Sequence, residues 1–327
     1  MTLRHRLLIA ALSIFPLLGP AQAANDFPTR SIRLIVGFAP GGATDVVARL
    51  LSMALSQELK QTVYVENIAG ASGLIAWKTV ATSPPDGYTL MMAENAISIR
   101  PSLPEAVTAP FDPTTQMAGV ALAAHSPLAL VVAKRVQANT AEELIKLSKA
   151  TPQKLDYASA GSGSVAQMVW DVVKQGAQIN AIDVPFRGGG PAVAAIIANQ
   201  TDIIMASTQV AKPLVEQEIV KALAVTGKER SPALPNVPTL SEVGIKHADA
   251  ELEFWYGIFG PKALPETVKE RLEKAVKVVV SDPEIKAKLL ALDISPQYMG
   301  GSDLDVKLKI EIANWKAFTA SKTTGAP

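Results

Sequence analysis

The chain has 327 residues, 48% of them hydrophobic, enough to bury more than one core. Its 31 basic and 30 acidic residues nearly cancel, and with 5% aromatic residues and no dense Lys/Arg run it lacks a nucleic-acid-binding footprint. It contains no cysteine, which removes disulfides and thiolate metal sites and leaves packing to hold the fold.

The chain opens MTLRHRLLIAALSIFPLLGPAQAAND. Arg4, His5 and Arg6 form a positive start, Leu7 to Leu18 an apolar run, and Ala21-Gln22-Ala23 an A-x-A cleavage site. Residues 1–23 therefore read as a cleavable signal peptide, and the expected location is the periplasm. An apolar run of roughly 12 residues falls well short of the ~20 that span a bilayer, which argues against an anchor helix.

Beyond this leader, short β-rich runs alternate with segments of helical period, the pattern of an α/β fold with parallel strands. Ile32 to Val36 reads as a strand, and the spacing of Val46, Val47, Leu50, Leu51, Ala54 and Leu55 predicts a helix from Thr44 to Leu59. TVYVEN (62–67) predicts a strand, GASG (70–73) opens a helix through Trp77 and Val80, PPDG (84–87) is a turn, and YTLMMA (88–93) a strand. After a proline-rich stretch (101–113) come AGVALAA and LALVVAK (128–134). Thr140-Ala-Glu-Glu143 has the form of a capping box for a helix from Ala141 to Lys149. LDYASAGSGS and AIDVPFRGGGPAVAAIIAN each give strand, glycine turn and helix, the first helix running from Val165 to Lys174. TDIIMAS and VKALAVT add strands. FWYGIFGP, a helix from Pro265 to Val280 and a last helix from Asp303 to Ala320 complete the chain. Crossings near 120–132 and 222–226 would divide it into a first lobe (24–125), a second lobe (126–226) and a returning first-lobe segment (227–327).

Four glycine-containing turns join a strand to a helix: FAPGGATD, AGASG, AGSGS and FRGGGPA. Ligands of α/β sheets bind beyond the carboxyl ends of the strands, where helix N-termini present N–H groups and partial positive charge to an anion. A single such turn is ordinarily a device for left-handed backbone; four at the same topological place favour binding. Gly161-Ser-Gly163-Ser-Val-Ala166 also matches the dinucleotide pattern G-x-G-x-x-A, with Asp183 near the ribose-acid spacing. An exported chain meets little free nicotinamide cofactor, so no cofactor is expected.

His5 lies in the leader, and His125 and His247 stand outside any nucleophile motif. G-x-S-x-G, H-E-x-x-H and P-loop patterns are absent, so neither catalytic residues nor a metal is expected. Asp45 reads as a first-turn acid favoured by the helix dipole. Glu94, just past a strand end, faces either a ligand or solvent. Arg187, beside three glycines, is the cation best placed to meet an anion, against the alternative of a surface arginine. Trp255 and Tyr256 read as core or lobe-interface aromatics.

Together these motifs resemble the Bug-type substrate-binding proteins of tripartite tricarboxylate transporters, from about Phe27 to the last helix. The pattern I-R-L-I-V-x-F-x-P-G-G-x-T-D-x-x-A-R, preceded by Pro28, stands at Ile32 to Arg49, and V-x-V-E-N-x-x-G-A-S-G at Val63 to Gly73. P-D-G-Y-T-L is Pro85 to Leu90, and L-x-Y-A-S-A-G-x-G-S is Leu155 to Ser164. V-P-[YF]-[KR]-G-x-x-P-A is Val184 to Ala192, and A-L-A-V-T-x-x-x-R-S-P-x-L-P-x-V-P-T is Ala222 to Thr239.

The resemblance implies a two-lobed, type II periplasmic-binding-protein fold of the Venus-flytrap kind, with a discontinuous first lobe. It implies a receptor, not an enzyme, that holds a small organic carboxylate (a di- or tricarboxylate, an amino acid or an aromatic acid) and delivers it to a membrane permease of the tripartite tricarboxylate type. A monomer is expected. The carboxylate clamp carries over to the loop Phe38, Ala39, Pro40, Gly41, Gly42, Thr44 and Asp45, and to Gly161, Ser162, Gly163 and Ser164. Ser72 and Gly73, and Arg187, Gly188 and Gly189, match positions near the cleft. Three places depart from the family pattern: Val165-Ala166-Gln167, the loop Ala93-Glu94-Asn95-Ala96, and Ala206-Ser207. The ligand's identity therefore does not carry over with the scaffold. Glu94, Asn95 and Ser207 complete the expected ligand-binding set. The alternatives are a receptor that docks to a membrane signalling protein, or an exported hydrolase using Ser164 or Asp45.

Overall fold

The computed structural model describes residues 27–103, 110–150, 155–161, 163–245 and 253–323. The expected signal peptide, Ser162 and His247 lie outside them. The chain begins with β1 (Ile32–Val36), α1 (Ala43–Leu59), β2 (Val63–Asn67), α2 (Leu74–Ala81), β3 (Thr89–Ala93), α3 (Ala96–Ile99), α4 (Pro113–Gln116) and β4 (Met117–Ser126). It continues with β5 (Leu128–Ala133), α5 (Ala141–Ala150), β6 (Leu155–Ser159), α6 (Val165–Ala177), β7 (Ala181–Pro185), α7 (Gly189–Ile197), β8 (Ile203–Ser207), α8 (Thr208–Glu216) and β9 (Val220–Val225). The last part is β10 (Phe254–Pro261), α9 (Glu266–Ser281), α10 (Pro283–Ala291), β11 (Ser295–Gly300) and α11 (Gly301–Thr323).

Two sheets result, ordered β11-β4-β10-β3-β1-β2 and β7-β6-β8-β5-β9. Both are mixed. β1 runs parallel to β2 and β3, and β6 to β7 and β8. The strands at the crossings, β4, β5 and β10, pair antiparallel with their neighbours. All four glycine turns follow the parallel strands β1, β2, β6 and β7.

The two-residue period of a strand explains how the first sheet is buried on both faces. Ile32, Leu34 and Val36 of β1 join the cluster that contains Leu51 and Leu55 of α1, while Ile35 joins the one that contains Trp77 of α2. β3 divides the same way, Leu90 and Met92 to the first cluster, Met91 and Ala93 to the second. In β10, Tyr256 and Ile258 face one cluster while Trp255 and Phe259 face the other. The second sheet has a cluster of its own, built on β5, β6, β8 and α6.

The chain leaves the first sheet between Ser126 and Leu128. The Ser126 hydroxyl lies 3.0 Å from the Tyr256 hydroxyl, and the Leu128 N–H donates to Thr226 Oγ1 at 2.9 Å, so the outgoing strand is tied to both later segments. The stretch 227–245, expected with the first lobe, packs instead on the second sheet. Leu234, Leu240 and Ile245 bury in its cluster, and the Leu240 N–H donates to Val225 O at 2.8 Å. Its few apolar residues find cover only there.

Five elements were not legible as such, among them the one-turn helices α3 and α4. α8 is short and holds Pro213, and β11, SPQYMG, lacks apolar alternation. α10 did carry a signal, an Asp-Pro start: Asp282 accepts the N–H groups of Glu284 and Ile285 with Pro283 at the first helical position. The expected capping box is shifted in part. Thr140 Oγ1 accepts the Glu143 N–H at 3.2 Å, but the Glu143 carboxylate takes the Asn139 N–H at 2.6 Å, one residue upstream of the usual donor.

Candidate functional site

A cavity of about 410 Å³ is walled by residues from both sheets. Four helices begin at its wall. α1 contributes Gly42 to Thr44, α6 Ser164 to Ala166, α7 Gly189 and Gly190, and α8 its N-cap Ser207. Their first N–H groups have no partner within their own helix, and the aligned peptide dipoles put partial positive charge at the same end. Among the described residues, no lysine, arginine or histidine stands in the wall. The polar side chains there are Thr44, Glu94, Ser164 and Ser207.

The first loop is held from behind. Asp45 Oδ2 accepts the Gly41 N–H at 3.0 Å and Arg49 Nε at 2.9 Å, while Oδ1 accepts Asn67 Nδ2 at 2.9 Å. Asn67 Nδ2 also donates to Phe38 O at 3.0 Å. Burial alone would raise the Asp45 carboxyl; the bonds from Arg49, Gly41 and Asn67 outweigh it and hold the group below the ordinary aspartate range. Asp45 is therefore a brace for the loop and not part of the cavity wall, a correction to the expected ligand contact. Phe38, Ala39, Pro40, Gly41, Gly42 and Thr44 do line the cavity.

The other expected residues divide. Ser164 lines the cavity and caps α6, its hydroxyl accepting the Gln167 N–H at 3.2 Å. Gly161 and Gly163 lie outside the wall. A Cβ on Gly161 would stand 3.8 Å from Ser72 Oγ, so the second turn of the first sheet faces the first turn of the second. Gly163, at φ +73°, is pressed against Leu103. Ser72 and Gly73 are also outside the wall. Gly73 has φ +93°, and a Cβ there would meet the Trp77 ring at 2.9 Å, so this glycine serves packing. Arg187 is exposed and stands outside the wall with Gly188, whereas Gly189 is in it.

At the second departure from the family pattern, Glu94 and Asn95 part company. Glu94 lines the cavity and is only 4% exposed. Burial pushes its carboxyl up to about 8, and a 3.4 Å hydrogen bond from the Ala96 N–H offsets this only slightly. Asn95 turns away: its Nδ2 donates to Glu253 O at 3.1 Å and its Oδ1 accepts the Trp255 N–H at 2.9 Å. Ser207 lines the cavity, and its side chain makes no capping bond to α8. Gln167 also turns away, toward Asp171 and Asp183. Asp183 in turn accepts Trp170 Nε1 at 3.1 Å and Lys174 Nζ at 3.3 Å, so the acid at ribose-binding spacing braces α6.

The apolar part of the wall went unread in the sequence. Val193 and Ile197 of α7, Ile204 and Met205 of β8, Val210 of α8 and Phe254 of β10 close the cavity, with alanines between them. Their runs, VAAII and IIMA, carry only the signature of a core.

A family model described as the tripartite tricarboxylate transporter family receptor matches residues 47–322. The chain belongs to that receptor family. A protein encoded in the tcbD-tcbE intergenic region of Pseudomonas sp. strain P51 is 32% identical over 90% of this chain and 87% of its own length. The periplasmic binding protein BugD superposes with a TM-score of 0.85 at 29% identity, covering 90% of this chain and 98% of that one. R. palustris Rpa4515, solved with adipate, superposes equally well, TM-score 0.85 and 29% identity over 90% and 99% of the two chains. The receptor family's members are binding proteins rather than enzymes, and the two-lobed periplasmic-binding-protein fold expected from the motifs is the fold found.

Proposed function

We propose that this receptor-family protein works outside the cytoplasm, captures a small organic carboxylate between its two lobes and presents the closed form to a tripartite-type membrane permease. The observation that carries the reading is the convergence of four helix N-termini on one cavity whose wall, among the described residues, holds no cationic side chain. Such a site suits an anion held by backbone N–H groups and hydroxyls. The likeness to an adipate-bound relative and the leader-like residues 1–23 support the same reading. For the hydrolase alternative, Ser164 would need a base, and its hydroxyl is occupied as a helix cap in a wall without histidine.

Lobe closure would bring the donors of α1 together with those of α6, α7 and α8, and ligand bound only to the closed form would stabilise it. Mass spectrometry of ligand retained after gentle purification, followed by thermal melts against mono-, di- and tricarboxylates, tests this. A carboxylate is expected to be retained and to raise the melting temperature. A silent screen over all three classes would overturn the reading.

A further inference from the structure

Beyond the carboxylate clamp, the rest of the cavity wall is a statement about what the ligand carries at its other end. Val193, Ile197, Ile204, Met205 and Phe254 present hydrocarbon, and Ile197 is left 40% exposed beside the cavity. Among the described residues no lysine, arginine or histidine lines the wall, so the helix N-termini are the positive potential that these residues offer an anion there. The one ionisable side chain among the described wall residues is itself an acid, Glu94, and it is almost fully buried.

Resting on the carboxylate-receptor reading above, we propose that the ligand is a monocarboxylate with an apolar body, and that Glu94 and the hydrocarbon wall reject a second ligand carboxylate. One carboxylate can be matched by the converging N–H groups. A second has two places to go. Against Val193, Ile197 and Met205 it loses its water and gains no partner. Beside Glu94, two carboxyl groups compete for one proton, and the pair retains a buried negative charge with no cation in the wall to meet it. A hydrocarbon or aromatic body meets neither cost and displaces water from an apolar surface. The raised pKa of the Glu94 carboxyl, about 8, agrees with this: burial already disfavours a negative charge at this end of the site before ligand enters.

The test is calorimetric titration of the intact protein with two matched pairs, hexanoate against adipate and benzoate against terephthalate. The monocarboxylate is expected to bind at least about tenfold more tightly than its partner in each pair that binds. A dicarboxylate that binds as tightly or more tightly would overturn this inference while leaving the carboxylate receptor standing. Absence of binding by these four and by the wider carboxylate screen would overturn both. Glu94→Gln keeps the shape and removes the acid, and at about pH 9, where the wild-type Glu94 carboxyl is ionised, it is expected to narrow the gap about threefold or more. An unchanged ratio would overturn the part assigned to Glu94.

Discussion

The Asp45 carboxylate accepts the Gly41 N–H at 3.0 Å, so the glycine turn at the cavity is held by the first turn of the helix that it starts. One carboxylate thereby fixes three chain segments, since Arg49 and Asn67 bond to it as well. The Gly41 N–H is spent on this brace.

Asp45→Ala is expected to lower stability by about 1–2 kcal/mol, because the Gly41, Arg49 and Asn67 donors lose a charged acceptor. Carboxylate affinity should fall about tenfold, through a loosened loop in place of a lost contact. The folded-state pKa of Asp45 is depressed, so its contribution is present above the ordinary value of 3.8 and is lost as pH falls through the lower folded value. Urea unfolding at pH 7 and at pH 3 checks this: the gap between wild type and variant should shrink at the lower pH.

Glu94 has the opposite sign. Its folded-state pKa lies at about 8, above the ordinary 4.5, so stability is highest at low pH and declines as pH rises through this window. The full difference is on the order of a few kcal/mol. Ligand-free Glu94→Gln should match the wild type near pH 4.5 and melt at a higher temperature at pH 8.5. Parallel melting curves across that range would contradict the buried acid.

Asn95 serves as a clamp at the place where the chain re-enters the first sheet. It is 1% exposed and bonds to both Glu253 and Trp255, and the Glu253 carboxylate lies 2.5 Å from His125 Nδ1 on the outgoing strand. Asn95→Ala removes two buried hydrogen bonds and should cost about 2–4 kcal/mol, read from the urea midpoint. A loss below ~1 kcal/mol would show that water replaces the amide.

Arg187 is exposed and outside the wall. Arg187→Ala is expected to change carboxylate affinity less than about twofold, as a screened surface charge would. A loss of tenfold or more, measured by the same calorimetry, would place the guanidinium in the ligand's first contacts after closure.

By itself the sequence determined most of the strands, the principal helices, the glycine turns and the receptor family. The apolar run IRLIV, the helical spacing after Thr44 and the Gly-Gly and Gly-Ser turns are local chemistry, set by side-chain period and by backbone freedom within a few residues. Only the tertiary structure decided which turns reach the cavity. Four looked alike, yet Gly73 is taken by the Trp77 ring while Gly42 and Gly189 stand in the wall. It also decided the chemistry of the far wall. Glu94 and Asn95 are adjacent in the chain, and one faces the cavity while the other is turned to Glu253 and Trp255, more than 150 positions away. Burial and facing are properties of what arrives from elsewhere in the chain, and no window of sequence around Glu94 contains it.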